Sequence, residues 1–220
     1  QYALDLGQNS TIAGAGIVLN GGTVTAGDKL TITTSNDAVR FNGAVTLSTS
    51  VRIDTSTGTA TGTEVGNVLF TQNSPIDSEA TEANALTINA TSGKVQFNNN
   101  LGAKSAATRL GDLTIENAQQ VLFGADATDT LDATSTGFVT VINTNAVNIG
   151  SASKIVSGIV FNGGSDNDNV SSDDSVTLTT TGDRVRLNGA TTLRSDLAID
   201  TAGGNVLFTQ FATLNSESSE

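Results

Sequence analysis

The sequence predicts an all-β fold, a parallel β-helix (β-solenoid) with coils of about 20 residues and loop insertions, and three observations predict it. The chain repeats itself at a long, nearly fixed period. Inside that period runs a beat of short apolar–x–apolar segments. The composition also suits a narrow core: 220 residues include 8 Phe and 1 Tyr, 23 Gly and 1 Pro, and no Trp, Met, Cys or His.

The long repeat is direct. GIVLNGG at 16–22 returns as GIVFNGG at 158–164, and FNGAVTL at 41–47 returns as LNGATTL at 187–193. VRIDT at 51–55 returns as LAIDT at 197–201, and GNVLFTQ at 66–72 returns unchanged at 204–210. The opening Ala3–Leu19 echoes Ala146–Phe161. This divides a single continuous solenoid, 1–220, into a first long repeat, 1–142, and a partial second one, 143–220. Self-similarity at a fixed period means units stacked along one axis, each burying its apolar face against its neighbours. Because the sequence starts and stops inside the pattern, it is expected to be an excerpt of a longer array.

The short beat places the strands. It begins with Leu30-Thr-Ile32, Val39-Arg-Phe41, Val45-Thr-Leu47, Val51-Arg-Ile53 and Val68-Leu-Phe70. It continues through Leu86-Thr-Ile88, Val95-Gln-Phe97, Leu113-Thr-Ile115 and Val121-Leu-Phe123. It resumes at Val147-Asn-Ile149, Ile159-Val-Phe161, Val176-Thr-Leu178, Val185-Arg-Leu187, Leu197-Ala-Ile199 and Val206-Leu-Phe208. Strand alternation sends the outer two residues of each triplet inward and the middle one out, so Thr31, Arg40, Arg52, Gln96 and Arg186 are expected in solvent. Leu30, Val39 and Val45 make one coil and Val51 opens the next; Val176, Val185 and Thr191 repeat the plan, with Leu197 starting over. Strands this short fit a β-helix better than a sandwich. The intervals 53–67 and 124–138 read as loops pushed out of the coil.

The corners follow from what ends each strand. Leu19-Asn20-Gly21, Phe41-Asn42-Gly43, Phe97-Asn98-Asn99, Phe161-Asn162-Gly163 and Leu187-Asn188-Gly189 each put Asn directly after a large apolar residue. Asn and Gly tolerate the left-handed backbone of a sharp turn, which is the conformation expected there. At the spacing of paired strands, about 4.8 Å, the Phe side chains would stack as an internal ladder. The corner amides would hydrogen-bond up and down the stack.

The phrases xFNG, GNVLF, LTI and LGDLTIENAQQVLF (110–123) resemble the tandem strand repeats of giant bacterial surface proteins, similar to filamentous haemagglutinin and autotransporter-type adhesins. That resemblance spans the whole chain and implies a right-handed β-helix, secreted or displayed on the cell surface, used as a stalk, fibre or adhesin. It carries no functional residue over, because such repeats are scaffold.

Charge and chemistry narrow the function further. A net charge of −12 repels nucleic acid and anionic lipid, so neither is expected as a partner, and no run is long enough for a membrane-spanning helix. The sharpest local motif is Gly163-Gly-Ser-Asp166-Asn-Asp168-Asn-Val170 with Asp173 and Asp174, which resembles a calcium-binding nonapeptide but has Asp166 where that pattern has Gly. Hard oxygen ligands on a tight turn suit Ca²⁺, so Asp166, Asp168, Asp173 and Asp174 are the candidate metal ligands, against the reading of a solvated acidic loop. The fold itself requires no cofactor. Asp183, Arg184, Arg186 and Asp200 are the nearest thing to a catalytic cluster, as in β-helical polysaccharide-cleaving enzymes, yet Asp37 and Arg40 occupy equivalent places in the first repeat. Residues that repeat with the scaffold, in a chain without His, point away from an enzyme. The expected function is a structural rod or fibre segment of a secreted or cell-surface bacterial repeat protein that polymerises into extracellular filaments. Its partners would be more copies of the same repeat or subunit. The alternative is a calcium-dependent adhesin module binding a glycan or host surface.

Overall fold

The computed structural model describes residues 2–7, 10–21, 29–58, 65–124, 140–163 and 175–216. Apart from one short 3-10 turn, Ala106–Thr108, the regular structure among them is β-strand. The strands are β1 (Tyr2–Leu6), β2 (Ile12–Leu19), β3 (Lys29–Thr33), β4 (Ala38–Phe41), β5 (Gly43–Leu47) and β6 (Ser50–Asp54). Then come β7 (Val68–Phe70), β8 (Ile76–Ser78), β9 (Leu86–Phe97), β10 (Leu113–Phe123), β11 (Thr140–Thr144), β12 (Val147–Ile149) and β13 (Ile155–Phe161). The last are β14 (Ser175–Thr180), β15 (Val185–Leu187), β16 (Gly189–Leu193), β17 (Asp196–Asp200), β18 (Val206–Phe208) and β19 (Leu214–Ser216). All fifteen apolar–x–apolar triplets lie in these strands.

Every pairing between strands is parallel, and the pairings sort into three ladders. The first joins β3, β6, the start of β9, the start of β10, β12, β15 and β18. The second joins β1, β4, β7, the end of β9, the end of β10, β13, β16 and β19. The third joins β2, β5 and β8, then passes through single bridges at Leu101 to β11, β14 and β17. In sequence order the chain visits these ladders in unbroken rotation, second, third, first. The long strands β9 and β10 each contribute to two ladders before the chain moves on.

Each return to a ladder aligns like with like. Leu30 returns as Val51, Val176 as Leu197 and Val185 as Val206, each after 21 residues, as the triplet spacing predicts. Elsewhere the return is longer, reaching 41 residues between Leu101 and Ile142. The expected loop 124–138 falls in that interval of sequence and, apart from Gly124, lies outside the described residues.

The inward rows of all three ladders merge into one core running from Ile17 and Leu19 to Val185 and Leu187. Its spine is the predicted aromatic column. Phe41, Phe70, Phe97, Phe123 and Phe161 are aligned by strand register and fully buried. Successive ring centroids are 4.7, 5.3, 5.4 and 5.1 Å apart, with planes within 16° of parallel. Strand spacing imposes that separation, and it falls inside the range where stacked rings attract.

Two sequence expectations need correction. The middle residue of a triplet is not always solvated: in the second ladder Leu69, Gln96, Leu122 and Val160 are buried on the outer side. Gln96 sits between Leu69 and Leu122 in register, with its Nε2 donating to Asn98 Oδ1 at 2.9 Å, so the row there reads as a second, outer apolar strip. Nor are the corner asparagines left-handed; Asn20, Asn42, Asn98, Asn99, Asn162 and Asn188 all lack a positive φ. Their amides carry the corner instead. Asn42 Nδ2 donates to Gly7 O at 2.9 Å, and its Oδ1 accepts from Thr71 Oγ1 and Asn73 Nδ2, both at 2.9 Å. The following Gly43 is a matter of space, because a Cβ there would lie 2.8 Å from the Ile12 side chain.

Candidate functional site

The metal ligands that the sequence suggests, Asp166, Asp168, Asp173 and Asp174, lie outside the described residues. Among the described residues no group of three or more His, Cys, Asp or Glu side chains is placed to hold a metal ion. Of the charged residues near 183–200, Arg186 is used by the scaffold. Its Nη1 donates to Gly150 O at 2.7 Å and Asn148 Oδ1 at 3.4 Å, on the strand below. Arg40 makes the equivalent bonds to Gly7 O at 3.4 Å and Asp5 Oδ1 at 3.0 Å.

The third ladder carries a groove that the sequence did not announce. It opens where β8 is followed, one return later, by the single bridge at Leu101 rather than by a full strand. Val45 N bonds Pro75 O, Ile76 N bonds Asn100 O and Gly102 N bonds Ile76 O, at 2.7–2.9 Å, so the walls are tied by backbone. The space is about 350 Å³ and is lined by Ala44, Pro75, Asp77, Asn100, Ala103 and Lys104. Asp77 occupies the outward middle position of β8, half-buried. Its Oδ1 accepts from Lys104 N at 3.3 Å and Thr108 Oγ1 at 3.4 Å. Burial pushes the Asp77 carboxyl above its ordinary range, and the bonds from Lys104 and Thr108 only partly oppose that. The arrangement offers a carboxylate, an ammonium and an amide beside an apolar wall of Pro75 and two alanines. Such a set can accept from and donate to hydroxyl groups. Among the described residues its lining carries one carboxylate, whereas acid–base cleavage of a glycoside uses two. The one signal in the sequence was Pro75, the single proline of the chain, immediately before an apolar–acid pair.

A second cluster lies on the outer side of the first ladder. Arg52 Nη1 and Nη2 bind Glu116 Oε1 and Oε2, both at 2.8 Å, and Nη2 also reaches Asp54 Oδ2 at 2.9 Å. Between Arg52 and Glu116 the register passes Thr87 and Thr114, so the clamp bridges two strand spacings. The bond to Glu116 raises the Arg52 pKa further above its already high value, against the opposing effect of burial. For Asp54, burial acts upward but is outweighed by bonds from Ser56 and Arg52, which hold the carboxyl below its ordinary range. Beside the clamp, Asn89 Nδ2 donates to Ser56 Oγ at 3.1 Å and Asn117 Nδ2 to Asn89 Oδ1 at 3.0 Å. Ser153 Oγ then donates to Asn117 Oδ1. A stacked polar ladder thus also runs at the end of the first ladder's strands, besides the bonds that the corner amides of Asn42 and Asn188 make to neighbouring strands. A paired, fully bonded cluster of this kind is a structural tie.

No protein-family model, curated protein or solved structure matches the chain.

Proposed function

We propose that the chain is a structural rod segment, its three ladders forming the three faces of a right-handed parallel β-helix. The observation that carries this reading is the strict rotation of the chain through three parallel ladders around one shared core. The hand follows from strand twist, since parallel crossovers within a sheet are right-handed in about 98% of cases. Eight strands in the second ladder set seven spacings of about 4.8 Å, a rod segment about 34 Å long. Continuous ladder hydrogen bonds and a stacked aromatic spine resist bending and extension, which is the mechanical work of a stalk or fibre. The resemblance in sequence style supports a secreted or cell-surface bacterial setting. Its partners are more copies of the same repeat, in chain or end to end. Electron microscopy of native material tests the reading. Long uniform fibres with an axial repeat support it, whereas isolated short rods carrying other domains remove the filament and leave a stalk.

The second reading is a glycan-binding adhesin module, and the Asp77 groove is the observation that favours it. A calcium-dependent form of it would use Asp166, Asp168, Asp173 and Asp174. Melting with and without calcium separates the readings. The rod gives no rise in melting temperature, and the Asp166→Ala/Asp168→Ala variant behaves as the parent does. The calcium-dependent adhesin responds to both.

A further inference from the structure

The two copies of the sequence repeat are built alike but stand on different ladders. In the first copy Leu6, Phe41 and Phe70 align in the second ladder. Their counterparts Ile149, Leu187 and Phe208 align in the first. Likewise β2, β5 and β8 lie in the third ladder, whereas β13, β16 and β19 lie in the second. The local bonding is nevertheless the same. Asn42 Nδ2 donates to Gly7 O and Asn188 Nδ2 to Gly150 O, each at 2.9 Å. Thr71 Oγ1 donates to Asn42 Oδ1 at 2.9 Å, and Thr209 Oγ1 to Asn188 Oδ1 at 2.7 Å. Ile12 N meets Asn42 O, and Ile155 N meets Asn188 O, both at 2.8 Å.

We infer that the sequence repeat advances by four and two-thirds windings, so that each copy presents its outer surface one face round from the copy before. The count is read from the pairings. From Leu30 the chain returns to the first ladder at Val51, Leu86, Leu113 and Val147, which is four windings. It then passes Ile159 in the second ladder and reaches Val176, the counterpart of Leu30, in the third. Three such steps make fourteen whole windings. One outward position, such as Arg40 and its counterpart Arg186, is therefore displayed in turn on all three sides. A rod of these repeats sets equivalent outward positions on each of its three sides in turn. A whole-number repeat would instead give a single decorated edge. The inference rests on the winding proposed above.

Disulfide trapping tests the inference and the winding separately, in the full chain, which has no native cysteine. Directly opposed residues of parallel strands have Cα atoms close enough for a disulfide. Thr87→Cys with Thr114→Cys reports the winding itself, since these residues oppose each other in the first ladder. Thr114→Cys with Asn148→Cys reports the phase, because Asn148 opposes Thr114 here but would oppose Leu122 if the repeats were in phase. The expected result is that both pairs close on mild oxidation, with loss of free thiol, while Leu122→Cys with Asn148→Cys stays reduced. Closure of the first pair without the second overturns the inference and leaves the winding standing. Failure of the first pair overturns the winding.

Discussion

Shortening one ring of the aromatic column should cost most at its centre. Phe97 lies between Phe70 and Phe123, at 5.3 and 5.4 Å, whereas Phe161 has Phe123 on one side and Leu193 on the other. Both side chains are fully buried, so replacement by Leu removes nearly the same apolar area at each site and leaves a similar void. What differs is the stacking: Phe97→Leu breaks two ring–ring pairs and Phe161→Leu breaks one. Each stacked pair contributes about 0.5–1.5 kcal/mol beyond its area. Phe97→Leu should therefore be less stable than Phe161→Leu by about 0.5–1.5 kcal/mol. Urea unfolding measures this as a shift in midpoint at constant slope. Stacked arrays can lose two-state behaviour, so circular dichroism and hydrodynamic radius must give coincident transitions before the midpoints are compared. The double variant Phe97→Leu/Phe123→Leu closes a cycle, and its coupling energy should equal one stack. Equal costs for the two single variants, or a coupling below about 0.3 kcal/mol, would refute stacking as a source of stability and leave burial alone.

The remaining predictions concern the backbone and the charged groups. Gly14 and Gly16 share β2 and both have positive φ, but a Cβ on Gly14 meets nothing within 4 Å while one on Gly16 would lie 2.2 Å from Ala44 O. Gly14→Ala should then cost only the left-handed backbone, about 1–2 kcal/mol, and Gly16→Ala clearly more, as read by urea midpoints. Glu116→Gln breaks a bidentate clamp whose side chains are 29% exposed at both ends, so its cost should stay below about 1 kcal/mol and shrink in roughly 1 M salt. Asp77, with a folded pKa raised by burial, opposes folding when ionised, and stability gained from its protonation grows as pH falls through that pKa towards about 3.9. Asp77→Asn should raise stability at neutral pH and erase that gain, which denaturation midpoints across pH 7 to roughly 4 would detect. Asp54 acts with the opposite sign: its pKa is lowered, so its contribution is present above about 3.9 and lost as pH falls further.

Much of the scaffold was legible because inward positions of a narrow core are filled by a few large apolar types. Triplets such as Val39-Arg-Phe41 and Val176-Thr-Leu178 announce themselves by alternation alone, and the register that stacks the phenylalanines follows from them. The rungs that escaped notice are those whose inward residues are hydroxylic. Thr140 and Thr144 flank Ile142 in β11, and Ser78 follows Ile76 in β8; Thr140, Thr144 and Ser78 are all buried. A hydroxyl can sit inside when its own backbone or a neighbouring turn accepts its proton, as Ala146 O does for Thr144 at 2.9 Å. Periodicity reads such strands as loop.

The phase of the long repeat was hidden for a different reason. Each copy carries its own turns and strands, so its local geometry is encoded within it, and the sequence reports that fully. In the winding proposed above, the face a copy occupies is set by how many corners the chain turns between the copies, in the segment from Leu86 to Asn145, where β9 and β10 each serve two ladders and their register shifts in between. Adding or removing a single corner there would rotate everything after it by one face while leaving every local bond in place. The Asp77 groove borders the same segment: where β8 is followed by a lone bridge at Leu101 instead of a strand, a hollow opens beside an outward carboxylate. On the proposed winding, an array that is uniform in its rungs becomes specific at the places where that winding is irregular. Those places are fixed by pairing between windings, which no single stretch of the sequence contains.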